Sequence, residues 1–165
     1  MKKKGTWIVI LSLIVLAAVI AVFAIINKPE DVAPGSLLVK AGGAERLLTM
    51  DEVKGLDAVE IYKDLPSGNH ESDKGTFRGA AIREILAYCG VEAAEKISVK
   101  ASDGYVSAFD ADEIFESDNI LLAYSQDGKD LGTAETGGTG PFRMIVTADE
   151  FATRCTKNIV ELTAE

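Results

Sequence analysis

Twenty successive residues without a charge, Trp7–Ile26, constrain this chain more than any other feature. The run reads W-I-V-I-L-S-L-I-V-L-A-A-V-I-A-V-F-A-I-I. As a helix rising about 1.5 Å per residue it spans about 30 Å, the thickness of a hydrocarbon core. Its Ile and Val are weak helix formers in water, but lipid leaves the backbone no partner except itself and imposes a helix. Lys2, Lys3 and Lys4 precede the run. Positive charge stays on the cytoplasmic side, so the expected topology is a single-pass cell-membrane protein with residues 1–6 inside and everything after the run outside. A cleaved signal peptide is the alternative; its apolar region usually covers about 7–15 residues, shorter than this one. Both readings export the rest of the chain. No cysteine lies close enough after the run for a lipid anchor.

The charge balance agrees with export of a soluble part. All 26 acidic residues lie after the apolar run, whereas three of the 17 basic residues lie before it. The remainder is therefore more acidic than the whole chain, whose formal charge is −9. Such a surface excludes broad basic recognition of nucleic acid or of anionic lipid. Residues 27–35 hold Pro29, Pro34 and several polar side chains and read as a short linker. Residues 36–165 are long enough for one core.

Within that domain the pattern is rich in strands with one main helix, which predicts an α+β fold. Strands are expected at Ser36–Ala41, Ala58–Tyr62, Asn119–Ser125, Phe142–Thr147 and Asn158–Leu162. Thr49 followed by Glu52 makes a capping box for a short helix that Gly55 ends. Leu65–Gly75, with Pro66, Gly68 and Gly75, reads as a loop. In Ala80–Cys89 the residues Ala81, Ile82, Ile85, Leu86 and Cys89 fall on one helical face. Asp103-Gly104 and Asp127-Gly128 are tight-turn signals, the first closing a hairpin over Lys96–Phe109. Gly132, Gly137, Gly138 and Gly140 suggest a flexible loop before Pro141, without the Gly-Lys-Ser/Thr of a nucleotide loop.

Five segments in order then resemble one family. They are Gly75-Thr76-Phe77-Arg78-Gly79 with Ile82, Ile85 and Leu86; Ala101-Ser102-Asp103-Gly104-Tyr105; Leu121-Leu122-Ala123-Tyr124 with Gly128 and Leu131; Gly140-Pro141-Phe142-Arg143-Met144-Ile145-Val146; and Arg154-Cys155-Thr156-Lys157. Together they resemble the molybdopterin-binding domain of sulfite-oxidase-type oxidoreductases. The resemblance implies a fold of mixed curved sheets with few helices and a molybdopterin site on loops at one end. It carries over cofactor-binding roles to Asp103, Gly104, Tyr105, Arg143, Arg154 and Lys157, the last two in a segment that lies near the cofactor's phosphate in that family. Catalytic members hold the metal through a Cys in a C-x-G-N stretch. Leu65-Pro66-Ser67-Gly68-Asn69 matches at Gly68-Asn69 and puts Pro66 at the Cys position. Proline offers no metal donor, so the resemblance here implies loss of the soft ligand that molybdenum chemistry needs.

The remaining candidates are weaker. Cys89 and Cys155 are the only thiols, and they form either a disulfide or two separate packed thiols. His70, the sole histidine, lacks the companions of a zinc site or a catalytic triad. Asp110, Asp112, Glu113, Glu116 and Asp118 lack the spacing and glycine of a calcium loop and read as an acidic helix start. The expected function is an anchored binding or accessory module whose ligand is a membrane-proximal protein or a small anion. The alternatives are a divergent molybdopterin oxidoreductase passing electrons to a membrane partner, and a spacer domain with no ligand.

Overall fold

The computed structural model describes residues 2–26, 32–66, 72–115 and 118–165. Two compact units result, Met1–Asp31 and Val32–Glu165. The first is a helix, α1 (Lys2–Ile26). Side chains are described for its residues 10–22, and the apolar ones, from Ile10 to Val22, are exposed. Among the described residues no helix is long and apolar enough to cross a membrane.

The second unit holds two five-stranded sheets. One has the order β2 (Ala44–Thr49), β1 (Ser36–Ala41), β10 (Ile159–Ala164), β5 (Lys96–Ala101), β6 (Val106–Asp110). Its β1–β10 pair is parallel and the others antiparallel. The other runs β3 (Ala58–Pro66), β4 (Ser72–Ala81), β7 (Ile120–Gln126), β8 (Lys129–Asp130), with β9 (Arg143–Val146) also on β7. Short helices α2 (Met50–Lys54), α3 (Ile82–Tyr88) and α4 (Ala111–Phe115) join them. This is the expected α+β architecture. Register shifts at Ile159/Glu161 and Arg78/Gly79 bend the strands, as an extra residue in one strand does. At the second shift the backbones nearly touch: a Cβ on Gly79 would lie 2.0 Å from the Leu122 carbonyl oxygen. Only glycine fits there.

The inner faces of both sheets meet in a single cluster that includes Leu37, Leu48, Val99 and Leu162 from the first and Phe77, Leu122 and Met144 from the second. Strand β7 is buried from Ile120 to Ser125, which explains its unbroken apolar reading. Helix α3 packs against β4 and β7 through Ile82, Ile85 and Leu86.

Several local expectations need correction. Leu65–Pro66 and Ser72–Gly75 are strand, because β3 and β4 pair as far as Pro66 opposite Ser72. The main helix starts at Ile82, since Ala80 and Ala81 still pair with Leu122 and Leu121. Strand β2 was not expected, although Gly42-Gly43, with φ of 55° and 83°, is a hairpin-turn signal. At Asp127-Gly128 both residues take positive φ, as a two-residue turn requires, whereas in the first Asp-Gly only Gly104 does. There the turn is wider, closed by Gly104 N–H to Ala101 O at 3.0 Å and Ala101 N–H to Tyr105 O at 2.9 Å. The glycine-rich segment is built rather than loose. A 3-10 turn at Ala134–Thr136 is closed at both ends, and Thr139 N–H donates to Leu131 O at 3.1 Å. The expectations for Ser67, Gly68, Asn69, His70 and Glu116 lie outside the described residues.

Candidate functional site

The β5–β6 turn, the segment 152–158 and the start of β9 converge at one end of the domain. Backbone hydrogen bonds set their spacing. Ser102 N–H donates to Asn158 O at 2.9 Å, and the Tyr105 hydroxyl donates to Thr153 O at 3.2 Å. Asp103 shapes its own turn by accepting Tyr105 N–H at 2.9 Å. Met144 N–H donates to Thr156 O at 2.8 Å and Ile159 N–H to Phe142 O at 3.0 Å, which brackets Lys157 opposite Arg143. Beneath them the Ser107 and Thr156 hydroxyls form a buried pair at 2.7 Å. All six expected residues thus reach the same end, in three different environments.

Arg143 is 1% exposed, lies 5.3 Å from the Phe77 ring centroid and donates through Nη1 to Asp73 Oδ2. Its Nε is buried and has no hydrogen-bond partner. Asp73 also accepts from Gln126 Nε2 at 2.9 Å. Burial raises the Asp73 pKa, but the Gln126 and Arg143 hydrogen bonds, with the charges of Arg143 and Lys157, outweigh it and hold the carboxyl below its ordinary value. Arg154 lies in a 3-10 turn, Ala152–Arg154, 5.0 Å from the Phe109 ring centroid. It grips Asp149 with two hydrogen bonds, at 2.9 and 2.6 Å, and Glu113 with one at 2.6 Å. These hydrogen bonds push its pKa further up. Lys157 is exposed and makes no ion pair among the described residues.

Asp73 and Asp149 were not singled out in the sequence as site residues, and Glu113 was weighed only within the acidic stretch. Asp149 stands only five residues before Arg154, near enough to be guessed; Asp73 is brought in only by the β4–β7–β9 arrangement. A cavity of about 140 Å³ opens beside the β5–β6 turn, walled by Ser102, Thr133, Pro141, Asn158 and Val32. None of Arg143, Arg154 and Lys157 lines it. Of the acidic stretch, Asp112 and Glu113 lie in the first turn of α4, with Glu113 on Arg154, and Asp118, beyond the helix, pairs with Arg83 at 2.7 Å. Among the described residues no group of His, Cys, Asp and Glu could hold a metal.

Two sheets with few helices define an α+β fold class. The sequence matches the family "Oxidoreductase molybdopterin binding domain" over residues 43–165, and the chain belongs to that family. No curated protein matches it by sequence. Among solved structures it is similar to the sulfane dehydrogenase SoxCD from Paracoccus pantotrophus, with a TM-score of 0.65 at 12% identity. That likeness is one of fold; it covers 78% of this chain and 37% of the SoxCD chain, so the protein spans little more than a third of that relative.

Among the described residues the placement of the two cysteines does not fit a thiolate-held molybdenum. The sequence has two cysteines, and both are free. Cys89 ends α3, half-buried, and burial raises its pKa. Cys155 is buried, accepts Val146 N–H at 3.5 Å, and is also pushed up by burial. Both pack against the hydrophobic core, and neither belongs to a metal-ligand cluster among the described residues. At the end of β3 stands Pro66, paired with Ser72.

Proposed function

We propose that this protein is a membrane-anchored, extracytoplasmic and non-catalytic binding module built on the molybdopterin-binding-domain fold. The observation that carries the reading is the placement of the thiols: Pro66 stands where the family pattern has its metal-binding Cys, and Cys89 and Cys155 pack against the core. The ligand-binding end is the converging loops around Arg143, Arg154 and Lys157, and its ligand is a small anion or a protein close to the membrane. Metal and pterin analysis of the full chain, expressed in a host that makes molybdenum cofactor, tests this. The expected result is a folded domain free of both. Stoichiometric molybdenum and pterin would overturn it and establish the oxidoreductase reading, with electrons passed to a membrane partner.

The anchor is supported by the uncharged run, the lysines before it and the exposed apolar side chains of residues 10–22, a surface that lipid would cover. Carbonate extraction with protease treatment of intact cells tests it. Retention in the membrane and digestion from outside are expected; release by carbonate would sink the proposal.

A further inference from the structure

The chain enters the second unit at Val32, and strand pairing fixes which end of the domain that is. Strand β1 runs parallel to β10, with Leu38 opposite Glu161, and Ile159 at the start of β10 pairs with Ala101 at the end of β5. The starts of β1 and β10 and the β5–β6 turn therefore share one end, and residues 32–36 wall the same cavity as Ser102. Three large aromatic or aliphatic side chains stand exposed there: Tyr105 (49%) and Val106 (53%) at the β5–β6 turn, and Phe151 (60%) just before the 3-10 turn. The first and last are tied together, because the Tyr105 hydroxyl donates to Thr153 O at 3.2 Å, two residues beyond Phe151. Tyr105 is further fixed through its N–H, which donates to Asp103 Oδ1 at 2.9 Å. Side chains already held in place lose little freedom when something covers them. Asp103 and Glu150, next along the chain, are exposed, so a negatively charged surface would be repelled.

Five residues, 27–31, separate Val32 from Ile26, the last residue of the uncharged run. A chain of that length reaches at most about 20 Å, however it bends. A surface at the entry end is therefore presented to the bilayer at high effective concentration, and a contact too weak to form between free molecules suffices. We propose that Tyr105, Val106 and Phe151 are a lipid-contacting edge of the domain, which rests on the neutral headgroup layer of the membrane that holds the uncharged run. The proposal depends on the anchored reading and adds a second, reversible contact to it. Aromatic side chains suit this layer, since their rings favour the boundary between hydrocarbon and water. The contact turns the converging loops toward the bilayer, so a partner reaches them along the membrane plane.

The full chain in phosphatidylcholine nanodiscs, with a small fraction of lipid carrying a gadolinium chelate on its headgroup, tests the proposal by amide NMR. The amides of Gly104, Tyr105, Val106 and Phe151 should be broadened far more than those of Gly42 and Gly43, in the β1–β2 turn at the other end of the same sheet. In Tyr105→Ser with Phe151→Ser the excess should fall to the level of that turn. Phe151→Ser alone, which removes no hydrogen bond, should lose part of it and carries the test if the double variant does not fold. Replacing phosphatidylcholine with an anionic lipid at low salt should also reduce the excess. Equal broadening at both ends of the wild-type sheet would overturn the contact and leave the exposed edge to a protein partner. An excess that survives both variants would overturn it too, because the tether alone would then account for the orientation. A chain that fails to enter the nanodisc would defeat the anchor, whereas one that enters and shows no excess defeats this contact alone.

Discussion

Arg143 and Arg154 carry the same charged group to the same end of the domain, one on the first residue of β9 and one in the 3-10 turn before β10. The Arg143 side chain is 1% exposed and has Asp73 as its ionic partner; that of Arg154 is 32% exposed and has Asp149 and Glu113. The richer set of bonds belongs to the arginine that needs it less. Water would solvate much of Arg154 if its partners left, whereas Arg143 would be left charged in a nonpolar interior beside Phe77. Burial, rather than the number of ion pairs, decides what each pairing contributes.

The sharpest way to break this comparison is Asp73→Ala. Removing one partner of a buried pair costs about 3–5 kcal/mol, and the low end applies because Asp73 is itself partly exposed. Urea denaturation of the variant should show a loss near the low end of that range. Asp73→Leu with Arg143→Met should recover most of it, since two packed apolar side chains leave no charge unpaired. A single variant as stable as wild type would mean that water already reaches Arg143.

Acid should produce part of the same loss without mutation. Asp73 has a folded pKa below its ordinary 3.8. Its contribution is therefore complete above that value and disappears as pH falls through the lowered folded value. Melting temperatures of wild type and Asp73→Asn should stay separated from neutral pH down to about 4 and converge below it. Parallel curves throughout the acid range would assign acid sensitivity to other carboxylates.

Arg154→Gln is the contrasting test. Exposed pairs contribute roughly 0.2–1 kcal/mol each, and the two-bond grip on Asp149 favours the upper part of that range. The expected loss is about 1 kcal/mol, smaller in high salt because exposed charges are screened. A loss matching Asp73→Ala, insensitive to salt, would show that the two arginines are equivalent after all.

The contrast also shows what the sequence could and could not tell. Features that depend on neighbours in the chain were legible. Thr49 Oγ1 accepts Glu52 N–H at 3.3 Å while Glu52 Oε2 accepts Thr49 N–H at 2.8 Å, the capping box visible in the spacing. The Asp127-Gly128 turn is of the same kind. Strand β2 was missed because A-E-R-L-L-T neither alternates nor favours strands; its pairing with β1 makes it one. Pro66 reads as a breaker, yet it ends a strand, where no further ladder donor is needed. At the site, family resemblance brought out Arg143, Arg154 and Lys157 and their order, but not their state. Whether an arginine is free for a ligand depends on which carboxylate the fold delivers to it, and Asp73 is delivered to Arg143 from far along the chain.

Lys157 completes the comparison as the cation that burial does not constrain. It is exposed and has no ion pair among the described residues, so Lys157→Met should change stability by less than about 0.5 kcal/mol in urea denaturation. Its effect should appear instead in the titration of Asp73, whose pKa it helps to lower. Without that charge the Asp73 pKa rises, and the acid loss of stability starts at a higher pH than in wild type. A variant with unchanged neutral stability and an earlier acid transition would separate charge that acts on the site from charge that holds the fold. An unchanged acid transition would place Lys157 too far from Asp73 to act on its carboxylate.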